Sequence, residues 1–330
     1  HRMKYKSLLK IALSALMLVL VLRVVNFDKL SAVMTNLSLE AVAVIVGLYA
    51  LGQVLSACKW WILLSNAGLH VSFGKTLKSY FIGMFVNCFG LGTVGGDLTR
   101  ALLVSTGDDS KISAISSVVA DRAHGLAVLA TIGSSAALIF GSSILAPQYM
   151  LTMIIVGLCT ITGWFLGPVL VRTLLPVDHR LRHKMEEVLR VFPNQKRVLL
   201  LMTFISFCFH VLQISLHYVM GYFLFLDLPL KELLVIIPLI NILSTLPISW
   251  NGLGIREKAY QTFLTPTLIS NEQALAFGAL WLLSVTICSA IGGLFAVLSE
   301  DFRDIWRYSR SSKPAQNSQD SESNRNSLNA

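Results

Sequence analysis

The chain has 330 residues, 54% hydrophobic and only 14% charged, with a mean hydropathy of +0.67. That composition excludes an ordinary soluble catalytic domain: once the apolar runs are set aside, the polar remainder is too short for a second core of ordinary size. The formal net charge of +9 gathers beside apolar runs, where Lys and Arg set membrane orientation, so no nucleic acid partner is expected.

In chain order, the first apolar run is Ser7 to Val25, preceded by Arg2, Lys4 and Lys6 and with Lys10 near its start. It is longer than the apolar core of a signal peptide, and no small-residue cleavage pattern follows it. It reads as a first membrane span, with Met3 as the expected natural start. Further runs of about 20 apolar residues, the length a helix needs to cross a bilayer, are Leu39 to Leu64, Ile112 to Gly141, Tyr149 to Val171, Val198 to Leu226 and Ala274 to Ser299. Two more, Leu77 to Leu103 and Leu233 to Leu264, are interrupted by Gly, Pro and charged residues.

Charge bias decides how the interrupted runs are read. The basic N-terminus belongs in the cytoplasm, and two crossings return the chain to Lys75 and Lys78 on the same side. The linker 172–197 carries Arg172, Arg180, Arg182, Lys184, Arg190, Lys196 and Arg197 and should be cytoplasmic too. It is so only if Leu77 to Leu103 enters and leaves on one face. The same rule makes Leu233 to Leu264 dip in from the opposite face, after which the last span delivers Arg303, Arg307, Arg310 and Lys313 to the cytoplasm. The expected fold is therefore an all-α polytopic membrane protein. It has about six transmembrane helices and two oppositely oriented re-entrant broken-helix segments, a pseudo-inverted repeat, with both termini cytoplasmic. Eight full crossings are the alternative, and they misplace the basic linker. Residues 1–308 form the membrane domain; within the linker, Leu181 to Phe192 suits a surface helix, and 309–330 lack apolar residues to bury and are expected to be disordered.

Broken apolar segments at matching places in two halves point to a binding site near the bilayer midplane. In "FVNCFGLGTVGGDLTRALLV", Gly95 and Gly96 allow a tight bend, and Asp97 stands where an N-cap would open a half-helix containing Arg100. In "STLPISWNGLGIREKAY", Pro247 ends one half-helix, Asn251, Gly252 and Gly254 make the turn, and Ile255 starts the return with Arg256 and Glu257. Each elbow sets backbone N–H groups and an arginine together, a combination suited to a phosphate or carboxylate. Equally, Asp97 could pair with Arg100, and Arg256 with a carboxylate, simply to neutralise the bends. Arg256 should look beyond its neighbour Glu257, because adjacent residues do not face one another on a helix.

"ISSVVADRAHGLAVLATIG" places Asp121, Arg122 and His124 in an otherwise apolar span, with Asp121 and His124 on one face. Links from Asp121 to Arg100 and from Arg122 to Asp97 would tie this span to the first elbow. His210, Gln213 and His217 form a stripe read as interhelical hydrogen bonding, and Asn87 and Asn241 are expected to satisfy broken backbone. The five cysteines lie in apolar runs without paired spacing and read as small buried residues. There is no HExxH, P-loop or GxSxG pattern, so neither a metal, a cofactor nor catalytic residues are expected.

The ordered series GGDxxR, DRxxGL and GxGxRE, carried here by Gly95, Gly96, Asp97 and Arg100, then Asp121, Arg122 and Gly125, then Gly252, Gly254, Arg256 and Glu257, resembles the flippase-like family of the lysylphosphatidylglycerol synthase transmembrane domain. The resemblance covers roughly Ser7 to Ser299. It implies lipid translocation, with a membrane lipid bearing an anionic or zwitterionic headgroup as partner. The expected substrate-binding set is Gly95, Gly96, Asp97, Arg100, Asp121, Arg122, Asn251, Gly252, Gly254, Arg256 and Glu257. Trp250 and Asn251 stand where a smaller residue is usual in the family, a departure that bears on headgroup selectivity. No soluble synthase domain follows the last span, so lysyl transfer by this chain alone is not expected. An alternative role is a membrane subunit of a lipid-modifying enzyme with a separate catalytic partner.

Overall fold

The computed structural model describes residues 37–89, 92–245, 255–264 and 268–299. Among them are ten α-helices and one 3-10 turn, with no strand. The helices are α1 (Leu39–Asn66), α2 (Phe73–Phe89), α3 (Gly92–Val104), α4 (Asp108–Phe140), α5 (Pro147–Leu174), α6 (Arg180–Arg190), α7 (Lys196–Phe223), α8 (Leu230–Ser244), α9 (Ile255–Leu264) and α10 (Asn271–Leu298). Five of them, α1, α4, α5, α7 and α10, are long and apolar enough to cross a membrane, and they coincide with five of the spans expected from sequence. The expected first span, Ser7 to Val25, the elbow residues Pro247, Asn251, Gly252 and Gly254, and the tail 309–330 lie outside the described residues.

Local chemistry sets where the helices start and stop. Ser38 caps α1 by accepting a hydrogen bond from the Ala41 N–H at 3.1 Å. The helix ends at Gly68, whose φ of +78° lets the Leu69 N–H turn back to the Leu64 carbonyl at 3.0 Å. Pro147 opens α5, where its missing N–H costs nothing, and a Ser270–Gln273 capping box opens α10.

Both interrupted runs are divided into two helices. At 1.5 Å per residue, α3 and α9 are only about 20 Å and about 15 Å long, against a hydrocarbon core of ~30 Å. α2 and α3 lie side by side as an antiparallel hairpin: Gly96 sits against both Asn87 and the Gly83 carbonyl, and a Cβ on Gly83 would meet the Arg100 side chain at 3.1 Å. The turn falls earlier than expected. Gly95, Gly96 and Asp97 lie inside α3, so Asp97 is not an N-cap; Gly96 serves close helix packing rather than the bend.

α4 is the hub, packing on α1, α3, α5, α6, α7 and α8. Its buried positions include Ser117, Ala120, Ala130, Gly133 and Ala137, small residues that let neighbouring backbones approach where no water is expelled to drive association. α7, α8 and α10 supply the main apolar core around Met220, Ile236, Phe277 and Leu280. α10 reaches the hairpin through Gly292, which lies directly against the Phe81 carbonyl.

The linker forms the expected surface helix, α6, with no buried residue. Arg182 fastens it: its guanidinium donates to the Arg172 and Leu175 carbonyls at 3.1 and 3.0 Å and to Glu186 at 3.0 Å. That hydrogen bond from Arg182 holds the Glu186 carboxyl below the usual carboxylate range. Of the cysteines, Cys88 and Cys288 are buried as expected, Cys58 and Cys208 are partly buried, and Cys159 is exposed on α5. All five are free thiols.

Candidate functional site

Five charged side chains from three helices meet beside the first hairpin. Asp121 on α4 receives Arg100 of α3 on Oδ2 at 3.1 Å and Lys59 of α1 on Oδ1 at 3.1 Å. Lys59 also donates to the Asp121 backbone carbonyl at 3.1 Å. Asp97 takes Arg122 in a two-pronged pair at 2.9 and 3.0 Å, and Arg100 Nε at 3.2 Å. Both interhelical links expected from sequence are therefore present, and so is the local Asp97–Arg100 pair. Lys59, Arg100 and Asp121 are at most 5% exposed, so each charge depends on its partners rather than on solvent.

Lys59, Arg100, Asp121 and Arg122 border a cavity of about 310 Å³ that residues of the second broken segment also line. There Arg256 of α9 donates to Asn241 Oδ1 of α8 at 2.9 Å and lies 3.5 Å from the Tyr260 hydroxyl. The two arginines share a plan. Arg100 lies over Trp60 and Tyr80, 4.7 and 5.0 Å from their ring centres, and Arg256 lies 4.5 Å from that of Trp281. Each guanidinium is thus stacked on an indole, leaving its edge for hydrogen bonding.

Their neutralisation differs. Arg100 is flanked by two carboxylates, whereas the described partners of Arg256 are an amide, a phenol and an aromatic face. Among the described residues the site holds four cations, Lys59, Arg100, Arg122 and Arg256, against two carboxylates, a net charge of +2. Polar atoms of its lining residues without a hydrogen-bond partner include Arg100 Nη1, Asn87 Oδ1 and Ser289 Oγ. Such an arrangement can receive an anion with several acceptor oxygens.

A chain-wide match decides the family: the sequence profile described as "Lysylphosphatidylglycerol synthase TM region" matches residues 7–293. The chain belongs to that family. No curated protein matches it. As a member of the lysylphosphatidylglycerol synthase transmembrane-region family it is a multi-pass membrane protein linked to lipid metabolism or transport.

Within this family member, Asp97, Arg100, Asp121 and Arg122 form one network, and Arg256 faces them across the cavity. Gly96 closes the hairpin, Gly95 lies in α3 one position before it, and Glu257 takes its place in the first turn of α9. The histidine stripe is interhelical as expected: His210 bonds to the Gly125 carbonyl at 3.0 Å and His217 to the Tyr260 hydroxyl at 2.8 Å. The asparagines differ from expectation. Asn241 holds Arg256 by its side chain, and Asn87 Oδ1 is without a partner, so neither oxygen is spent on broken backbone.

Sequence reading missed Lys59, Trp60 and Trp281. Lys59 carried a usable signal, a lone lysine inside the Leu39 to Leu64 run, since an ionisable residue at bilayer depth must face protein or a cavity. The tryptophans had none, because a Trp in an apolar run is ordinary whether or not it carries a guanidinium on its face.

Proposed function

We propose that this chain is a lipid flippase: it captures the anionic, phosphate-bearing headgroup of a phospholipid or lipid-linked intermediate in the charged cavity and moves it across the bilayer. The observation that carries the reading is Arg256, an arginine bordering a cavity with only neutral partners among the described residues. A half-buried guanidinium held this way keeps its charge without a counter-charge among the described residues, and an anion entering the cavity would supply one. The first cluster supplies a second cationic wall, where Arg100 Nη1 is buried without a hydrogen-bond partner.

In this reading both broken segments are re-entrant, since α3 and α9 are too short for a ~30 Å crossing. Helix N-termini of the two elbows then add their dipoles near the midplane. The cavity residues Arg100, Asp121, Arg122 and Arg256, with Gly95, Gly96 and Asp97 of the adjoining hairpin and Asn251, Gly252, Gly254 and Glu257 of the second elbow, make the headgroup path. The protein works in a bacterial inner membrane with both termini cytoplasmic.

The test is translocation of fluorescent phospholipids in proteoliposomes, comparing the wild type with Arg256→Ala and Arg100→Ala after checking that each variant folds. Transport by the wild type and its loss in both variants is the expected result. An inert wild type across anionic and zwitterionic lipids would overturn it and favour a membrane subunit serving a separate lipid-modifying enzyme.

A further inference from the structure

The linker helix α6 is fastened at the depth where a membrane surface lies. From Tyr149 to Arg172, α5 rises about 35 Å at 1.5 Å per residue, between the ~30 Å of the hydrocarbon core and the ~40–45 Å of a bilayer with its headgroups. With Tyr149 in one interface, the Arg172 carbonyl therefore stands in the other. That carbonyl and the one at Leu175 are the groups to which Arg182 ties the first turn of α6. The other end is clamped as well. Val191 is buried in a cluster with Leu63, Ala120 and Met202, and Phe192 lies against Trp164 of α5 with ring centres 5.2 Å apart. Held at both ends, α6 is not free to roll its exposed side chains inward.

Its apolar residues are only half used by the protein. Leu181, Met185 and Val188 follow one another at i, i+4 and i+7 and so share a face. Val188 packs against the buried cluster around Val191, whereas Leu181 and Met185 remain 51% and 38% exposed. In chain order they continue the exposed apolar residues at the end of α5, Val169, Leu170 and Leu174, and Val177 in the connection. α5 is itself long and apolar enough to cross a membrane and is exposed over most of its apolar length, so lipid surrounds it.

The charges beside these two residues are uncompensated. Both carboxylates of α6 are occupied, Glu186 by Arg182 at 3.0 Å and Glu187 by Arg190 at 3.1 Å. Arg180 and Lys184, each one position before Leu181 or Met185, are exposed and have no carboxylate partner among the described residues. Over 172–197 seven basic residues stand against three acidic ones, a net charge of +4. Two apolar side chains edged by two free cations, at interfacial depth, match the acyl boundary and the phosphates of an anionic lipid surface. An acidic protein could answer the cations, but it would have to displace the lipid already standing around the end of α5.

We propose that the outer face of α6 docks on anionic phospholipid in the leaflet beside it, Leu181 and Met185 entering the acyl boundary while Arg180 and Lys184 hold the phosphates. Docking of this kind is independent of any transport through the charged cavity. It gathers anionic lipid around the end of α5.

The test attaches a nitroxide to Leu181→Cys, Met185→Cys or His183→Cys in the full chain, with the native cysteines replaced, and places each protein in nanodiscs, one copy to a disc. His183 is exposed on the opposite side of the helix from Leu181. The discs are phosphatidylcholine with or without phosphatidylglycerol. Collision with oxygen, which concentrates in the bilayer, is compared with collision with a neutral nickel chelate, which stays in water. In the phosphatidylglycerol discs the labels at Leu181 and Met185 should lose the nickel collisions that the label at His183 keeps. Arg180→Gln combined with Lys184→Gln should bring those collisions back, with an unchanged unfolding midpoint showing that the protein is folded. High salt should do the same without any substitution of the cations. Nickel collisions at Leu181 and Met185 equal to those at His183 would overturn the proposal; protection that then appeared only in native membranes would make a protein the occupant. Protection that is equal in pure phosphatidylcholine and survives both the charge change and the salt would overturn it too, because apolar contact would then suffice without anionic lipid.

Discussion

Lys59 shows how much one side chain can hold in this network. It is the only described partner of Asp121 Oδ1, and it also takes the backbone carbonyl of the same residue. Removing one member of a buried ion pair costs about 3–5 kcal/mol, because the partner charge stays behind without compensation. Lys59→Met should therefore lower the thermal midpoint of the purified protein by many degrees. Combined with Asp121→Asn it should cost clearly less than the two single changes added together, a coupling of ~0.5–3 kcal/mol in a double-mutant cycle. Additive losses would mean that the two side chains do not share a charge. The charged residues themselves were legible in the sequence, since Asp97, Arg100, Asp121 and Arg122 stand out in apolar runs and their spacing left few partners. The stacking of Arg100 on Trp60 and of Arg256 on Trp281 was not legible, because it joins residues 40 and 25 positions apart on different helices.

At the scale of elements, the long spans were easy to read because about 20 apolar residues have few other places to be. The broken segments are recognisable as broken, but their residues point to a first bend later than the one in the folded chain. Gly95 and Gly96 look like turn residues when only backbone freedom is considered. In the folded chain Gly96 meets Asn87 and the Gly83 carbonyl, a demand for closeness that a sequence does not distinguish from a demand for bending. Gly292 is the matching case on α10. A methyl group there would strike the Phe81 carbonyl, which is backbone and cannot swing aside as a side chain would. Gly292→Ala should destabilise the protein by about 1–3 kcal/mol, the usual cost of forced overpacking, measured as a lower unfolding midpoint in detergent. Gly47→Ala, on α1 with nothing within 4 Å of a built Cβ, should leave that midpoint in place or raise it slightly. Equal effects at the two glycines would refute the close contact between α10 and the hairpin.

The whole molecule poses the question of which side each connection faces. Because α2 and α3 run antiparallel and side by side, Ser72 before the hairpin and Gly107 after it lie at the same end of the bundle. A single crossing by Leu77 to Leu103 would have put them at opposite ends. α4 then runs about 50 Å at 1.5 Å per residue, enough to traverse the bilayer, and carries the chain to Ser143 at the other end. α5 returns it to the linker helix α6. With the basic linker inside, as the distribution of Lys and Arg requires, Ser72, Gly107 and Lys184 should all be cytoplasmic and Ser143 external. Four single-cysteine variants at these exposed positions, in a background with the native cysteines replaced, can be labelled in intact cells with a membrane-impermeant maleimide. Only the variant at Ser143 should react before the cells are opened; the other three should react afterwards. Reaction of the variant at Gly107 in intact cells, with that at Ser72 still protected, would mean that the hairpin crosses the membrane, and the headgroup path drawn through it would have to be abandoned.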